Sequence, residues 1–279
     1  MNRAIVSFAL ASLGLAFGAS AFAAELRNPA PAPVYTKAPV AVPPSWTGFY
    51  VGANVGGAWG RDPVISGFSC PRVGSCLYNV PENLAAASAA GTGTLSDSGF
   101  TGGGQFGYNW QFGSLVLGAE TDFEYFKIRP SRIVTGPFPD AISNFTVGTS
   151  VNTDWLYTLR GRVGYAFGPQ FLVYGTGGLA VTQDSLSNSF IDNLAAVGLP
   201  PNSVGASSTS DTWTGYAVGG GAEWLFARNW SVKGEYLYVN FGSKTTTAIV
   251  FSGAATPNVL TTSGTLSANI ARAGVNYHF

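Results

Sequence analysis

Residues able to do chemistry are few in this chain, and their spacing limits what that chemistry can be. There is one histidine, His278, second from the C-terminus, so a Ser-His-acid relay would have to be built around that position. Glu120, Asp122 and Glu124 alternate along five residues, and Arg160 and Arg162 alternate in the same way further on. Glu120 and Asp122 are the residue types of an acid/base pair, but matching arginines at the same alternation point to structural pairing instead. Cys70 and Cys76 share a Gly/Ser/Pro-rich segment without histidine, and two ligands cannot fill a four-coordinate zinc site. In an exported chain such a pair predicts a local disulfide. The run Gly102 to Gly107 lacks the phosphate-loop lysine and follows no βαβ pattern, so its glycines belong to a strand. These residues predict no catalytic site, no metal and no cofactor.

The elements that hold these residues follow from composition. Arg3, an apolar run from Ala4 to Phe17 and Ala21-Phe22-Ala23 read as a secretory signal peptide over residues 1–23. Residues 24–45 are dense in proline and read as an extended periplasmic leader. From there to 279 no apolar run is long enough for a membrane helix. Charged residues are only 10% of the chain and aromatics 14%. Ordinary soluble domains carry about 25% charge, and a lipid-facing exterior removes the need for it. Net charge is zero, with no basic stripe to neutralise phosphates, which excludes a nucleic-acid partner.

From Trp46 onward, segments of about ten residues alternate large apolar with small or polar side chains, the pattern of strands that cross a membrane. Eight segments are predicted: 46–59, 100–112, 114–126, 155–167, 171–182, 212–227, 230–241 and 266–279. Connections around Gly113, Gly168-Pro169 and Arg228-Asn229 are short, whereas 60–99, 127–154, 183–211 and 242–265 are long. Short and long alternate throughout, as periplasmic turns and external loops do. The expected fold is therefore all-β: an eight-stranded antiparallel up-and-down transmembrane β-barrel over 46–279, both termini periplasmic, with outer-membrane lipid as its surrounding. Within the loops, residues 81–87 and 190–197 are expected to make short helical turns. β-branched residues in the fourth loop suggest that the last two strands continue past the membrane.

Alternation also assigns faces. Three carboxylates on a lipid-facing surface would be costly, so Glu120, Asp122 and Glu124 face the lumen while Leu115, Leu117, Phe123 and Tyr125 face out. The same argument places Arg160, Arg162, Glu223, Lys233, Glu235 and Arg272 inside. Five acids against four bases predict a closed, mutually paired interior, because an eight-stranded barrel is only wide enough for side chains to fill. Glu120, Asp122 and Glu124 are expected beside Arg160 and Arg162. Trp46, Trp155, Trp213 and Trp230, with Phe112 and Phe167, are expected in interfacial girdles.

Several stretches resemble a known family. They are Tyr35-Thr36-Lys37-Ala38-Pro39, Trp46-Thr47-Gly48-Phe49-Tyr50-Val51-Gly52, Gly103 to Asn109, Arg160 to Tyr165, Tyr174 to Ala180, and Ala271 to Phe279. These resemble the small alphaproteobacterial outer-membrane barrels described as immunogenic or porin-like. The resemblance implies an OmpA-like eight-stranded barrel whose last strand, with Val275, Tyr277 and Phe279 facing out, is read by the barrel-assembly machinery after passage with periplasmic chaperones. It further implies an abundant envelope component and surface antigen. The expected function is a structural barrel that supports the envelope and presents surface loops. The alternatives are a narrow channel for ions or small solutes, and loop-mediated capture of a ligand such as haem or of a host surface.

Overall fold

The computed structural model describes residues 45–72, 80–139, 143–193, 202–251 and 256–279. The expected signal peptide, the leader up to residue 44, Cys76 and residues 194–197 lie outside the described residues. The strands are β1 (Gly48–Ser69), β2 (Gly93–Phe112), β3 (Leu115–Phe126), β4 (Ser131–Pro137), β5 (Asn144–Phe167), β6 (Phe171–Asp192), β7 (Val204–Ala227), β8 (Trp230–Val250) and β9 (Asn258–His278). One helix, α1 (Pro81–Gly91), stands between β1 and β2.

Apart from β3 and β4, strands consecutive in the chain pair antiparallel, β1 pairs with β9, and β3 pairs with β5, so the sheet closes on itself. β4 adds to β5 beyond the end of β3 and continues that wall rather than making a ninth stave. Closure matters because lipid offers no hydrogen bonds to an open edge. At one end the turns are tight, and Gly113 and Gly168 adopt φ values of +63° and +70° there, which side chains resist. Both ends of the barrel sequence lie at this turn end, where the Phe279 amide donates to the Phe49 carbonyl at 3.0 Å.

At the other end the strands run far beyond the 9–11 residues that cross a bilayer: β5 and β7 each reach 24 residues. The connections are correspondingly shorter than the four long loops expected from sequence. Extension is not confined to the last two strands, and Phe190 to Asp192 belong to β6, not to a helical turn. The outward faces here carry Ser and Thr in place of aromatics, so apolar contrast fades while pairing continues.

α1 patches the wall where β2 has left β1. The β1–β2 ladder ends at Val64↔Gly93, and α1, begun by Pro81 in its first turn, packs between β1 and the β4–β5 pair. Ala87 is fully buried, Ser88 Oγ accepts the Phe68 amide at 2.7 Å, and Arg132 donates to the Ala90 carbonyl. A Cβ on Gly91 would lie 2.5 Å from Ser66 Cβ, so only glycine allows this approach. Phe68, Phe138, Phe145, Phe190 and Leu260 fill the space beneath the helix.

Candidate functional site: the charged layer of the lumen

Glycines make the room in which the lumen charges meet. A Cβ on Gly178 would lie 2.7 Å from Arg160 Cα, one on Gly56 2.7 Å from Arg272 Cβ, and one on Gly107 2.4 Å from the Tyr50 ring. With that space available, nine ionic side chains interlock. Arg160 Nη2 lies 2.6 Å from Glu120 and 3.0 Å from Asp122, and its Nη1 is 3.2 Å from Glu235. Arg272 binds Glu124 and Glu235 directly and reaches Asp122 at 2.5 Å. Lys233 Nζ sits 2.9 Å from Glu120, and Arg162 binds Glu223. All nine residues are at most 5% exposed.

Pairing differs in detail from the expected neighbours. β3 and β5 do bring Glu120 level with Arg160. Glu124, however, crosses the lumen to Arg272 on β9, and Arg162 turns to Glu223 on β7. Tyr50 and Tyr174 were not singled out from sequence. Tyr50 Oη donates to Glu120 at 2.7 Å and accepts from Arg162 at 3.1 Å. Tyr174 donates to Glu235 at 3.0 Å while the Arg162 guanidinium stacks 3.7 Å above its ring. The available signal was parity, since Tyr50 alternates with Phe49 and Val51 and shares its face with Gly52 and Asn54.

Glu120, Asp122 and Glu235 have carboxylate oxygens within 4.8 Å of one another, a spacing that could hold a metal. Arginine and lysine nitrogens already occupy the space between them, and the arrangement fits ion pairing better than an added cation. His278 also has company. Its Nε2 is 2.9 Å from Ser231 Oγ and 3.4 Å from Glu223. Acid and hydroxyl approach the same ring nitrogen, whereas a relay needs them on opposite ones. Trp46, fully buried, packs edge-on against the imidazole at 5.7 Å.

Apolar layers lie on both sides of the charges. Towards the turn end, Trp46, Val116, Ala166, Leu172 and Leu225 form one. Towards the other end, Leu156, Ala180, Trp213, Leu237, Val239 and Ile270 form a second. Trp46 and Trp213 are thus lumen plugs, at 0% and 3% exposure, and not girdle residues as expected. Trp155, Trp230, Phe112 and Phe167 do face outward, with Trp59, Tyr125 and Tyr216 beside them.

Residues 9–279 match the family model for the outer membrane protein beta-barrel domain. The chain belongs to this family. It is 33% identical to a 31 kDa outer-membrane immunogenic protein of Brucella melitensis over 242 residues, covering 85% of this chain and 88% of the relative. A 22 kDa outer membrane protein of Rhizobium leguminosarum is 34% identical over 162 residues, 56% of this chain and 62% of the relative. Among solved structures, the outer membrane protein OprG from Pseudomonas aeruginosa aligns with a TM-score of 0.43 at 13% identity, covering 85% of this chain and 99% of that one. Membership of this family makes the exposed band of Phe, Trp and Tyr the outer surface of a transmembrane β-barrel.

Val275 and Phe279 point outward and Tyr277 is half-buried on the same face, stacked edge-on with Phe279 at 5.2 Å. Cys70 is disulfide-bonded, and among the described residues no cysteine is free.

Proposed function

We propose that this protein is a structural barrel of the outer membrane, closed along its axis, which supports the envelope and displays its extended loop end to the exterior. One observation carries the reading: every ionic side chain in the membrane-level lumen is paired, and apolar layers stand above and below them. A conducting pore needs a continuous wet path, and buried charges already satisfied by one another give water and ions no foothold. The tight turns and both barrel termini then face the periplasm, as in barrels of this kind. The immunogenic description of the Brucella relatives agrees with an exposed loop end. Catalysis has no support in the geometry around His278, and the structural role needs no cofactor. The test is a deletion strain challenged with detergent and with large antibiotics, complemented by the intact gene. Sensitivity of the deletion strain, reversed by the wild-type protein, is expected; a deletion strain as resistant as its parent would overturn the envelope role.

A further inference from the structure

The wall between β7 and β8 is incomplete above the membrane. Ladder pairing stops at Tyr216↔Asn240, beside the outward Tyr216–Tyr238 ring pair, and resumes only as an isolated bridge at Val204↔Phe251. β8 is irregular here, shifting register against β9 between Asn240 and Ser243, with Gly242 at φ +74°. Side chains span the seam instead. Ser207 and Thr209 hydroxyls meet Thr246 at 3.0 and 3.1 Å. Lys244 Nζ lies 3.4 Å from Asp211 and 5.1 Å above the Trp213 ring.

Behind this seam the charges do not balance. Asp184 on β6 stands level with Asp211 on β7. Directly opposed residues on antiparallel strands share a face and hold their Cβ atoms about 4.5–5.5 Å apart, and like charges so placed repel. Asp184 is 1% exposed, and no side chain bonds its carboxylate, which meets only the Ser185 and Asn152 main-chain amides. Lys244 pairs with Asp211 and acts on Asp184 only from further off, and the two pairing side chains are 37% and 50% exposed. Two acids and one base leave a net negative charge where the wall opens.

We propose that Asp184 and Asp211 form a binding site for a divalent cation of the calcium type, entered through the β7–β8 seam. The donor types fit a hard ion: two carboxylates, with the Thr209 and Thr246 hydroxyls on the same seam, and no sulfur or imidazole. Lys244 is the resident competitor, its ammonium standing where the cation would neutralise Asp211. Burial pushes the Asp184 carboxyl up to about 6, so an unfilled site favours a proton and a filled one an ion. The contrast is with Glu120, Asp122 and Glu235, equally crowded but each held by an arginine or lysine. The site's existence does not depend on whether the lumen conducts.

Terbium, a luminescent stand-in for calcium, tests this on the full chain in detergent, with Trp213 as the sensitiser. Saturable emission on tryptophan excitation, displaced by calcium, is expected. Asp184→Asn and Asp211→Asn should each weaken binding by about tenfold or more, at least the loss that follows from removing a partner of a metal ligand. Lys244→Met should tighten it, and Trp213→Phe should remove most of the emission while a calcium-induced rise in melting temperature persists. Each variant is first shown to be folded by its heat-dependent gel mobility. No saturable signal from the wild type, an unchanged affinity in Asp184→Asn, or a weaker one in Lys244→Met would each overturn the proposal.

Discussion

The two halves of this lumen handle buried charge in opposite ways. In the membrane half, Arg160 touches three carboxylates and Arg272 reaches four, and two tyrosine hydroxyls complete the set. In the loop half, Asp184 has no ion pair and no side-chain partner, and the nearby β7–β8 wall lacks a ladder. Both halves are built from the same antiparallel strands. The difference is the surrounding: lipid forbids an open edge in the wall, whereas water around the loop half tolerates one. Stability is therefore concentrated in the first half, and adaptability in the second.

The largest expected effect comes from breaking the tight half. Arg160→Ala leaves Glu120, Asp122 and Glu235 short of a partner. Removing one member of a buried ion cluster typically costs about 3–5 kcal/mol. Glu120→Ala in the same background should recover part of that loss, and urea unfolding in detergent gives the cycle. Strict additivity would mean that the two side chains do not act together. A smaller effect is expected at the helix that patches the wall. Gly91→Val forces a side chain against Ser66 and should cost about 1–3 kcal/mol by overpacking. Faster proteolysis around α1, with the barrel intact on gels, is the readout, and wild-type rates would refute the close fit.

Deleting Phe279 separates assembly from stability. Phe279 is 72% exposed, held by its amide to Phe49 and by an edge-on contact with Tyr277. Purified protein should melt as before, while the amount reaching the outer membrane falls severalfold; equal amounts would remove the assembly role. The loop half should respond to pH in a direction of its own. With its pKa raised to about 6 against roughly 4 in the unfolded chain, Asp184 binds its proton more tightly when folded. The stability it contributes is full below about pH 4 and is lost as pH rises through 6. In chelator, the wild type should lose stability across that window and Asp184→Asn should not. A parallel decline in both would assign the effect to other groups.

How much of this could be read beforehand depended on contrast between neighbouring residues. β3 was legible because Glu120, Asp122 and Glu124 alternate with Leu117, Phe123 and Tyr125, and lipid cannot accept the first set. Long extensions were not, since Ser185 to Ser189 or Thr245 to Thr247 offer no apolar face to mark a strand. Trp213 was misplaced although it shares parity with Gly219, Gly221 and Glu223, because its place at a strand end suggested a girdle. Cross-lumen partners such as Glu124 and Arg272 lie 148 residues apart, and only barrel closure decides that they meet. The seam had a single sign, Gly242 amid β-branched residues, and whether a ladder lapses there depends on packing rather than on pattern.

Single-channel recording in a planar bilayer tests the closed lumen most directly. Wild-type protein, folded by gel mobility, should give no steady conductance at moderate voltage, and Arg160→Ala should admit ions through the loosened charge layer. Large, stable wild-type openings, unchanged in Arg160→Ala, would contradict the closed lumen and make the barrel a channel.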